Sequence, residues 1–354
     1  MDTKLNRRKL RKFRKDPALA AAAVELVYVS NQDPGITRVK RGKSFSYYMG
    51  ETRVTDKLQL ARIRSLVIPP AWEQVWICVI PNGHLQATGI DLKKRKQYRY
   101  HADWNTFRNA TKFFHILDFG KSLPEMRRQL QKDLNLPGLP LNKVLAAVVS
   151  LMEMTNIRVG SNFYEKLYGS FGLTTLKVRH VNIKGNTLAF QFKGKKGIEH
   201  SISIKSKKLA KIVGQCRDLP GKALFQYFDE EGERKTIDSG MVNEYIKRIS
   251  GGDYSAKDFR TWSGSVRAIE ALREQGSFET NTEAKSKVVS ALKVVSRHLG
   301  NTPNVCRKYY VHPRIFEMYQ EKKLDQYLFS TDAIPDPCSD VWSREEELML
   351  RILS

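Results

Sequence analysis

The stretch that organises this chain is residues 298–313, HLGNTPNVCRKYYVHP. A turn at Gly300 leads into a short segment in which Arg307 and Lys308 stand immediately before two tyrosines. A free phenol has a pKa of about 10 and is a poor nucleophile at neutral pH, and adjacent cations favour the phenolate. The segment is therefore a candidate for nucleophilic attack on a phosphodiester.

The alternative is that Tyr309 and Tyr310 only pack against their neighbours, with the two cations on a solvated face. Tyrosines beside cations are common, so this stretch by itself favours the alternative. The function has to be decided from the rest of the chain.

The composition bounds the fold and the partner. The chain has 354 residues, enough to bury a sizeable core, and this length predicts two domains. Its formal net charge of +24 favours a polyanionic partner, because counterions released from phosphates would drive binding. An anionic membrane is the competing partner, but the sequence has no long apolar run and no apolar start of a signal peptide. The composition therefore predicts a nucleic-acid partner and no membrane.

The cysteines and acidic residues indicate which chemistry is absent. Four cysteines lie far apart, with no C-x-x-C spacing: Cys78, Cys216, Cys306 and Cys338. They argue against a zinc site and a disulfide framework, and they fit a reducing, cytoplasmic compartment. No paired acidic motif typical of Mg²⁺ sites stands out, and no Walker-type glycine-rich loop is present. We expect no metal site, no cofactor and no use of ATP.

The first third of the chain predicts a basic arm and a small domain. Residues 1–16 are an arm that we expect to be disordered, although it would add phosphate contacts. Residues 17–109 have the pattern of an α+β domain that binds nucleic acid. It opens with an alanine-rich helix predicted over Ala18–Val29 and continues into a hairpin over Ile36–Met49.

The last segment of this domain, residues 91–101, alternates aromatic and cationic side chains. This pattern is typical of a surface that pairs phosphates while aromatic or amide groups reach the bases. The alternative is an ordinary charged edge strand, and the basic charge of the whole chain favours nucleic acid. The candidate contact residues are Arg95, Lys96, Gln97, Tyr98 and Tyr100.

Residues 110–354 have mainly helical periodicity. The apolar stripe over Leu141–Met154 predicts a core helix, and further helices are predicted over Met241–Ile249 and Lys287–Arg297. Arg158 follows the core helix and, taken alone, is an ordinary ion-paired arginine. The fold class predicted for the whole chain is α+β, with a small mixed β-sheet domain before a larger, mainly helical one.

Three strand-like segments interrupt these helices: Val178–Ile183, Thr187–Phe192 and Ile198–Ile204. The turn between the last two is GKKG, whose glycines allow a tight tip to carry Lys195 and Lys196 outward. Such a tip can place a lysine on a reacting phosphate. The alternative is a charged tip that only keeps the sheet edge soluble.

Five short motifs, in a fixed order, resemble those of type IB DNA topoisomerases, and most closely the small bacterial and poxvirus form. They are Arg158, GKK at 194–196, KDFRT at 257–261, GNTP at 300–303 and YVHPRI at 310–315. The resemblance extends to IPPAW at 68–72 and QYRYH at 97–101, so it covers nearly the whole chain. It implies that the N-terminal domain and the helical catalytic domain, with its three-stranded β-hairpin element, clamp duplex DNA.

The resemblance also implies a role for each matched residue. Tyr310 would attack a DNA phosphodiester, giving a 3′-phosphotyrosyl link and a free 5′-hydroxyl. It is chosen over Tyr309 because the family nucleophile stands just before the pattern matched by residues 311–315. Arg158 and Arg260 would hold the non-bridging oxygens, and each such contact is typically worth about 10²–10³ in rate.

Three further residues receive roles from the same resemblance. Lys195 would be the general acid that protonates the leaving 5′-oxygen, with Lys196 as the alternative if the tip register is shifted by one. Asn301 stands where the poxvirus enzymes have a histidine, so it can donate a hydrogen bond to phosphate but carries no charge. His298 is a weaker substitute for that histidine and is better explained as structural.

The activity implied is relaxation of supercoiled DNA by transient single-strand cleavage, without ATP or an obligatory metal. The implied partner is double-stranded DNA, bound by a monomer in the cytoplasm, and on the nucleoid if the source is bacterial. The runner-up is a tyrosine recombinase, but recombinases usually have a histidine where this chain has Lys257. A catalytically inert DNA-binding protein of the same fold is the other alternative, although binding alone needs no nucleophile.

Overall fold

The alternating pattern of the N-terminal region folds into a six-stranded antiparallel sheet. Its strands are β1 (Ile36–Arg41), β2 (Ser44–Met49), β3 (Thr52–Arg53), β4 (Glu73–Ile77), β5 (Leu85–Ile90) and β6 (Lys96–Tyr100). The spatial order is β3-β2-β1-β4-β5-β6, so β6 is an edge strand. The helices of this region are α1 (Pro17–Ala22), α2 (Lys57–Ser65) and α3 (Ala102–Thr111). Ile63 of α2 packs with Ile36 and Ile77 of the sheet to form the core.

The computed structural model describes residues 12–13, 16–42, 44–92, 94–111, 113–328 and 342–354. Most of the predicted basic arm, residues 1–16, lies outside the described residues, and so does Cys338. Contacts between residues divide the chain into two units, residues 1–114 and 115–354. The domain limits predicted from the sequence, 17–109 and 110–354, stay a prediction.

The prediction for the first helix is wrong in its extent. The helix ends at Ala22 and does not continue to Val29. Glu25 takes a left-handed backbone conformation, with φ 57°, and the chain turns there. This turn brings Val27 beside the sheet, where its N–H donates to the Asn82 carbonyl at 2.9 Å. Tertiary pairing has overridden the helix propensity of the alanine-rich run. The hairpin predicted over Ile36–Met49 is confirmed by the pairing of β1 with β2.

The second unit is mainly helical. Its longer helices are α4 (Ile116–Leu134), α5 (Leu141–Thr155), α6 (Asn162–Tyr168), α7 (Lys207–Arg217), α8 (Ser239–Ser250), α9 (Ala256–Gln275) and α10 (Asn281–Leu299). They are followed by α11 (Pro303–Tyr309), α12 (Pro313–Gln320), α13 (Asp325–Leu328) and α14 (Arg344–Leu353). The predicted core helix is confirmed as α5, which is buried along nearly its whole length. The helices predicted over Met241–Ile249 and Lys287–Arg297 are confirmed within α8 and α10.

A three-stranded antiparallel sheet interrupts these helices, formed by β7 (Val181–Lys184), β8 (Thr187–Lys193) and β9 (Glu199–Lys205). The prediction that the first strand begins at Val178 is wrong, because Val178–His180 form a 3₁₀ turn. In that turn the Lys177 N–H donates to the His180 ring at 3.1 Å, so this hydrogen bond is made within the turn and not to a neighbouring strand. A short hairpin of β10 (Gln226–Phe228) and β11 (Arg234–Thr236) completes the strands of this unit that the structure describes.

The C-terminal helix α14 is fixed to the centre of this unit by a buried ion-pair network. Arg127 of α4 donates to Glu346 of α14 at 2.8 and 3.0 Å and to Glu153 of α5 at 2.8 Å. Trp262 of α9 also donates to Glu346, at 2.9 Å. Three helices, α4, α9 and α14, therefore meet at the Glu346 carboxylate, and α5 joins them through Arg127. These contacts hold α9 where the arrangement below requires it.

The predicted fold class is confirmed: an antiparallel sheet in the N-terminal unit precedes a mainly helical unit that carries a three-stranded sheet. Within the described ranges, no helix combines the length and the apolar character needed to cross a membrane.

Candidate active site

Tyr310 stands at the C-terminal end of α11, packed against α9. Its backbone N–H donates to the Cys306 carbonyl at 2.9 Å. A methyl group added at Gly264 of α9 would come within 2.7 Å of the Tyr310 carbonyl oxygen, so only glycine permits this approach. Ser265 adds a hydrogen bond to the next turn by accepting the His312 N–H at 3.0 Å. Gly264 is four residues after Arg260 in α9, so it lies one helical turn away on the same face. The contacts at Gly264 and Ser265 therefore fix the backbone of Tyr310 near Arg260.

Arg260 is buried and is held by backbone carbonyls. Its guanidinium donates to the carbonyl oxygen of Asn156 and, at 2.7 Å, to that of Leu299. Its central carbon lies 5.2 Å from the centroid of the Tyr310 ring. Burial lowers the pKa of Arg260, whereas the charge of Tyr310 and a hydrogen bond to it oppose the shift.

Both carbonyls that hold Arg260 stand at helix C-termini. Asn156 caps α5 in a left-handed conformation, with φ 55°, and Leu299 is the last residue of α10. The last carbonyls of a helix lack partners within the helix, and they carry the negative end of its dipole. Two helix ends therefore satisfy this cation without placing a carboxylate beside it.

Arg158 and Asn301 form a second group beside the first. The Arg158 guanidinium donates to the Gly300 carbonyl at 3.1 Å and to Asn301 Oδ1 at 2.6 Å. Burial lowers the pKa of Arg158 to about 10, with a further contribution from Arg260, so the group remains a cation at neutral pH. Because Asn301 Oδ1 accepts from Arg158, its amide nitrogen is the donor side of the group: it donates to the Leu299 carbonyl at 3.5 Å and has a second N–H.

Lys195 is exposed at the tip of the β8–β9 hairpin. The tip is a single 3₁₀ turn over Lys195–Gly197, in which Lys196 has φ 63° and Gly197 has φ 78°. Partial burial lowers the pKa of the Lys195 ammonium, and Arg158, Lys196 and Arg260 lower it further. The structure therefore brings four predicted catalytic residues, Tyr310, Arg158, Arg260 and Asn301, into contact in pairs, and it places Lys195 within their electrostatic reach.

No carboxylate of the described residues pairs with Arg158, Arg260 or Lys195, and none contributes to the charge interactions of these three groups. Among the same residues, no group of three or more His, Cys, Asp or Glu side chains could hold a metal ion. Unpaired cations in a partly buried site favour an anionic ligand. The arrangement fits one phosphate group beside the Tyr310 phenol.

The cations adjacent in sequence are not the ones that surround Tyr310. Arg307 and Lys308 are exposed, and the Lys308 ammonium lies 5.4 Å from the centroid of the Tyr309 ring. Tyr309 is itself 36% exposed, whereas Tyr310 packs against the hydrophobic core. The cation whose contact with the Tyr310 ring the structure shows is Arg260, which comes from another helix.

Asp258 fixes the start of α9, two residues before Arg260. Its carboxylate accepts from the Ser255 N–H at 2.8 Å, which completes a capping box, and it lies 2.6 Å from His115 Nε2. Burial raises the pKa of Asp258, but the hydrogen bond and charge of His115 and the hydrogen bonds from Ser255 outweigh burial and lower it. Sequence reasoning did not identify this residue, although a serine followed three residues later by an acidic residue is the usual signal of such a cap.

Asp258→Asn should lower the free energy of unfolding by about 1–2 kcal/mol at neutral pH, because a charge-assisted hydrogen bond is lost. The folded-state pKa lies below the ordinary value of 3.8, so the contribution is present above that value and is lost as the pH falls through the folded pKa. Denaturant unfolding of parent and variant between about pH 7 and pH 3 measures the difference. The exposed Asp218→Asn is the control, and a difference that persists unchanged at the acid end would contradict the assignment.

The predicted contact residues of β6 separate into two groups. Arg95 and Gln97 both donate to the carboxylate of Asp91, each at 2.8 Å. Lys96, Tyr98 and Tyr100 alternate with them, and the two tyrosine rings are stacked with centroids 6.0 Å apart. Because successive strand residues point to opposite faces, the second group forms one continuous surface on an edge strand.

Two residues near Arg260 are Asn156, to which the sequence analysis gave no role, and His298, which it predicted to be structural. Asn156 presents the carbonyl that accepts from Arg260, and its own amide nitrogen lies 3.0 Å from His298 Nε2. An asparagine directly after a helical pattern is a typical left-handed helix end, so the sequence contained a signal for it. The structural role predicted for His298 agrees with this contact.

Comparison with known proteins covers most of the chain. The family described as "Eukaryotic DNA topoisomerase I, catalytic core" matches residues 96–330, and "Bacterial DNA topoisomerase IB, N-terminal domain" matches residues 44–91. A DNA topoisomerase 1B of Acanthamoeba polyphaga mimivirus is 34% identical over 295 residues, 81% of this chain and 88% of the relative. The DNA topoisomerase I of Monkeypox virus and the DNA topoisomerase 1B of Vaccinia virus (strain Copenhagen) are each 26% identical over 259 residues, 71% of this chain and 77% of either relative. The chain belongs to the type IB DNA topoisomerase family.

Proposed function

We propose that this enzyme relaxes supercoiled duplex DNA by cutting and resealing one strand through a covalent link to Tyr310. The observation that supports this most directly is the pairing of Tyr310 with Arg260 at 5.2 Å, beside Arg158, with no carboxylate of the described residues neutralising either arginine. A protein that only binds DNA needs the cations but not a phenol fixed against them.

The proposed reaction is an in-line displacement at phosphorus. The Tyr310 oxygen forms a bond to the phosphorus, the bond from phosphorus to the 5′-oxygen breaks, and the phenolic proton passes to water. Arg158 and Arg260 stabilise the charge that builds on the non-bridging oxygens, each contributing about 10²–10³ in rate. The donor nitrogen of Asn301, oriented by its bond to Arg158, adds a neutral hydrogen bond.

Lys195 is the proposed general acid that protonates the leaving 5′-oxygen. General acids are most effective when their pKa approaches the working pH, and partial burial and neighbouring cations lower the pKa of Lys195 in that direction. Lys196 remains the alternative donor on the same tip. In the reverse step the 5′-hydroxyl oxygen bonds to phosphorus and its proton returns to Lys195. The bond from phosphorus to the Tyr310 oxygen breaks, and that oxygen takes a proton from water.

This scheme needs no ATP, because the phosphotyrosyl diester retains the energy of the bond that was cut. It also needs no obligatory metal, since the protein's own cations neutralise the phosphate. While the link lasts, the free 5′ end can rotate about the intact strand and release supercoils of either sign.

We further propose that both units contact one duplex as a clamp around it, with the protein acting as a monomer located with the genome, in the cytoplasm or on a bacterial nucleoid. The net charge of +24 and the Lys96–Tyr98–Tyr100 surface of the N-terminal unit support DNA contacts outside the catalytic unit. On this proposal those residues hold DNA and take no part in the chemistry.

Replacing Lys96 and Tyr98 together with alanine should therefore weaken DNA binding and leave the chemistry unchanged. The slope of log affinity against log salt should fall by about one, because one phosphate contact is lost. Affinity is measured by titration over a range of salt, and cleavage by single-turnover kinetics at saturating protein. A slowed cleavage step at saturation would contradict the division of roles, and Lys184→Ala serves as a control for loss of charge alone.

Plasmid relaxation tests the function as a whole. Negatively supercoiled plasmid is mixed with the parent protein in EDTA without ATP, and the topoisomers are resolved on a gel. We expect a ladder of relaxed topoisomers, and none with Tyr310→Phe. Plasmid that is bound but stays supercoiled would indicate an inert binding protein, whereas recombined junctions from suitable oligonucleotides would indicate a recombinase.

A further inference from the structure

The imidazole of His200 lies between the catalytic hairpin and the loop that carries Asn301. A methyl group added at Gly194, the first residue of the hairpin turn, would come within 2.5 Å of the His200 ring. A methyl group added at Gly300 would come within 2.9 Å of the same ring and 3.9 Å of Arg158 Nη1. The ring therefore fills the space between two glycines, one from each segment.

A second contact supports the ring from behind. Phe192 of β8 stacks on His200 with centroids 5.0 Å apart and an interplanar angle of 18°. The two residues face each other across the β8–β9 pair, so the stack belongs to the hairpin itself. His200 thus moves with the hairpin and makes its outward contact with Gly300.

The base of the hairpin has a further backbone anchor, because the Phe171 N–H donates to the Lys193 carbonyl at 2.8 Å, whereas the bonds of the tip itself lie within the turn. Within the turn, the Gly194 N–H donates to the Ile198 carbonyl at 2.7 Å and the Gly197 N–H donates to the Gly194 carbonyl at 3.1 Å. Lys195 makes no hydrogen bond or ion pair with any of the described residues. Its position relative to Arg158 therefore depends on how the hairpin backbone is docked.

We propose that His200 is a positioning residue that docks the hairpin onto Gly300 and so holds Lys195 over the phosphate site. This inference rests on the proposed function, in which Lys195 is the general acid. The contact is one of shape, made by the edge of the ring. Burial and the charges of Arg158 and Arg260 lower the pKa of His200, so the ring packs there as an uncharged group. A ring of similar size without nitrogen should serve almost as well, and a small side chain should not.

The test separates proton donation from the rest of the chemistry. A DNA duplex carrying a cleavage site mapped with the parent protein is made in two forms, with oxygen or with sulfur at the scissile 5′ position. A thiolate leaves without being protonated, so cleavage of the sulfur form does not depend on a general acid. Single-turnover cleavage rates are measured on both forms for the parent, Lys195→Ala, Lys196→Ala, His200→Ala and His200→Phe. Ser201→Ala, on the exposed face of β9, is the control.

His200→Ala should cleave the oxygen form about 10-fold to 100-fold more slowly than the parent, which is part of the 10²–10⁴ that a general acid supplies. It should cleave the sulfur form at close to the parent rate, as Lys195→Ala should. His200→Phe and Ser201→Ala should stay within about threefold of the parent on both forms.

A pair of glycine variants tests the steric contact independently. Gly194→Ala places a methyl group against the ring and should slow cleavage of the oxygen form selectively. Adding His200→Ala removes the obstacle, so the double variant should be no slower than His200→Ala alone. Such non-additivity is expected for residues in contact and not for distant, independent ones.

The outcomes distinguish the inference from the proposed function. Equal slowing of His200→Ala on both forms would mean a general structural role, and an unchanged rate on the oxygen form would mean no role; either overturns the inference. If Lys195→Ala is not rescued by sulfur while Lys196→Ala is, the acid is misassigned, and the proposed function needs correction at that residue.

Discussion

Tyr310→Phe is expected to abolish strand cleavage while leaving DNA affinity within about threefold of the parent. The change removes one oxygen, the atom that bonds to phosphorus in the proposed reaction, and leaves the ring that packs against the core and Arg260. The loss should therefore be complete, unlike the partial losses expected for charge-stabilising residues.

The measurement is covalent trapping. Protein is mixed with 3′-labelled and 5′-labelled duplexes, quenched with detergent and separated on a denaturing gel. A 3′-phosphotyrosyl link joins the protein to the fragment that carries the 5′ end of the cut strand. The adduct therefore keeps a 5′ label and loses a 3′ label. Parent protein should give one labelled adduct, and Tyr310→Phe should give none.

Tyr309→Phe is the matched control, because it removes the same atom from the neighbouring, exposed ring. It should retain adduct formation within about twofold of the parent. Loss of the adduct in Tyr309→Phe together with its retention in Tyr310→Phe would transfer the nucleophile to Tyr309. Loss in both would show that the segment as a whole had been disturbed.

Arg260→Ala is expected to reduce the single-turnover cleavage rate by about 10²–10³ at saturating DNA. It should also lower the free energy of unfolding by about 1–3 kcal/mol, because the carbonyls of Asn156 and Leu299 lose a buried hydrogen-bond donor. The two effects have different origins and are measured separately, by cleavage kinetics at saturation and by denaturant unfolding.

Arg260→Lys tests whether charge alone is sufficient. A lysine ammonium cannot reproduce the planar fork that reaches two carbonyls while facing the Tyr310 oxygen. We therefore expect a rate loss close to that of the alanine variant, with a smaller loss of stability. Arg273→Ala, on the same helix but ion-paired to Glu345, is the control and should leave the cleavage rate unchanged. Parent-like cleavage by Arg260→Ala would remove this residue from the chemistry.

Much of the fold was predictable because the patterns are strong and local. The stripe of α5 and the hairpin turn at Gly194 follow from periodicity and glycine spacing alone. The first helix was predicted too long because alanine propensity gives no indication that Val27 pairs with the turn between β4 and β5. A contact between residues far apart in sequence can override a propensity worth less than 1 kcal/mol per residue.

The sequence predicted which residues form the candidate site, but it did not predict which groups hold them in place. The motifs named Tyr310, Arg158 and Arg260, but the sequence pointed to Arg307 and Lys308 as the activating cations because they are adjacent. Adjacent residues on a helix do not share a face, whereas the fold brings Arg260 across from another helix. The helix end at Asn156 is a recognisable pattern, but nothing in the sequence shows that its carbonyl and that of Leu299 accept from Arg260.

The attachment of Arg260 to the ends of α5 and α10 restricts how the gene can change by insertion and deletion. One residue added within either helix advances its end by about 1.5 Å and rotates it by about 100°. The carbonyl of Asn156 or Leu299 would then point away from the guanidinium, whatever side chains surround it. The lengths of α5 and α10 are therefore constrained by the position that Arg260 requires. The exposed turns at Gly185 and Gly232 are free to vary in length.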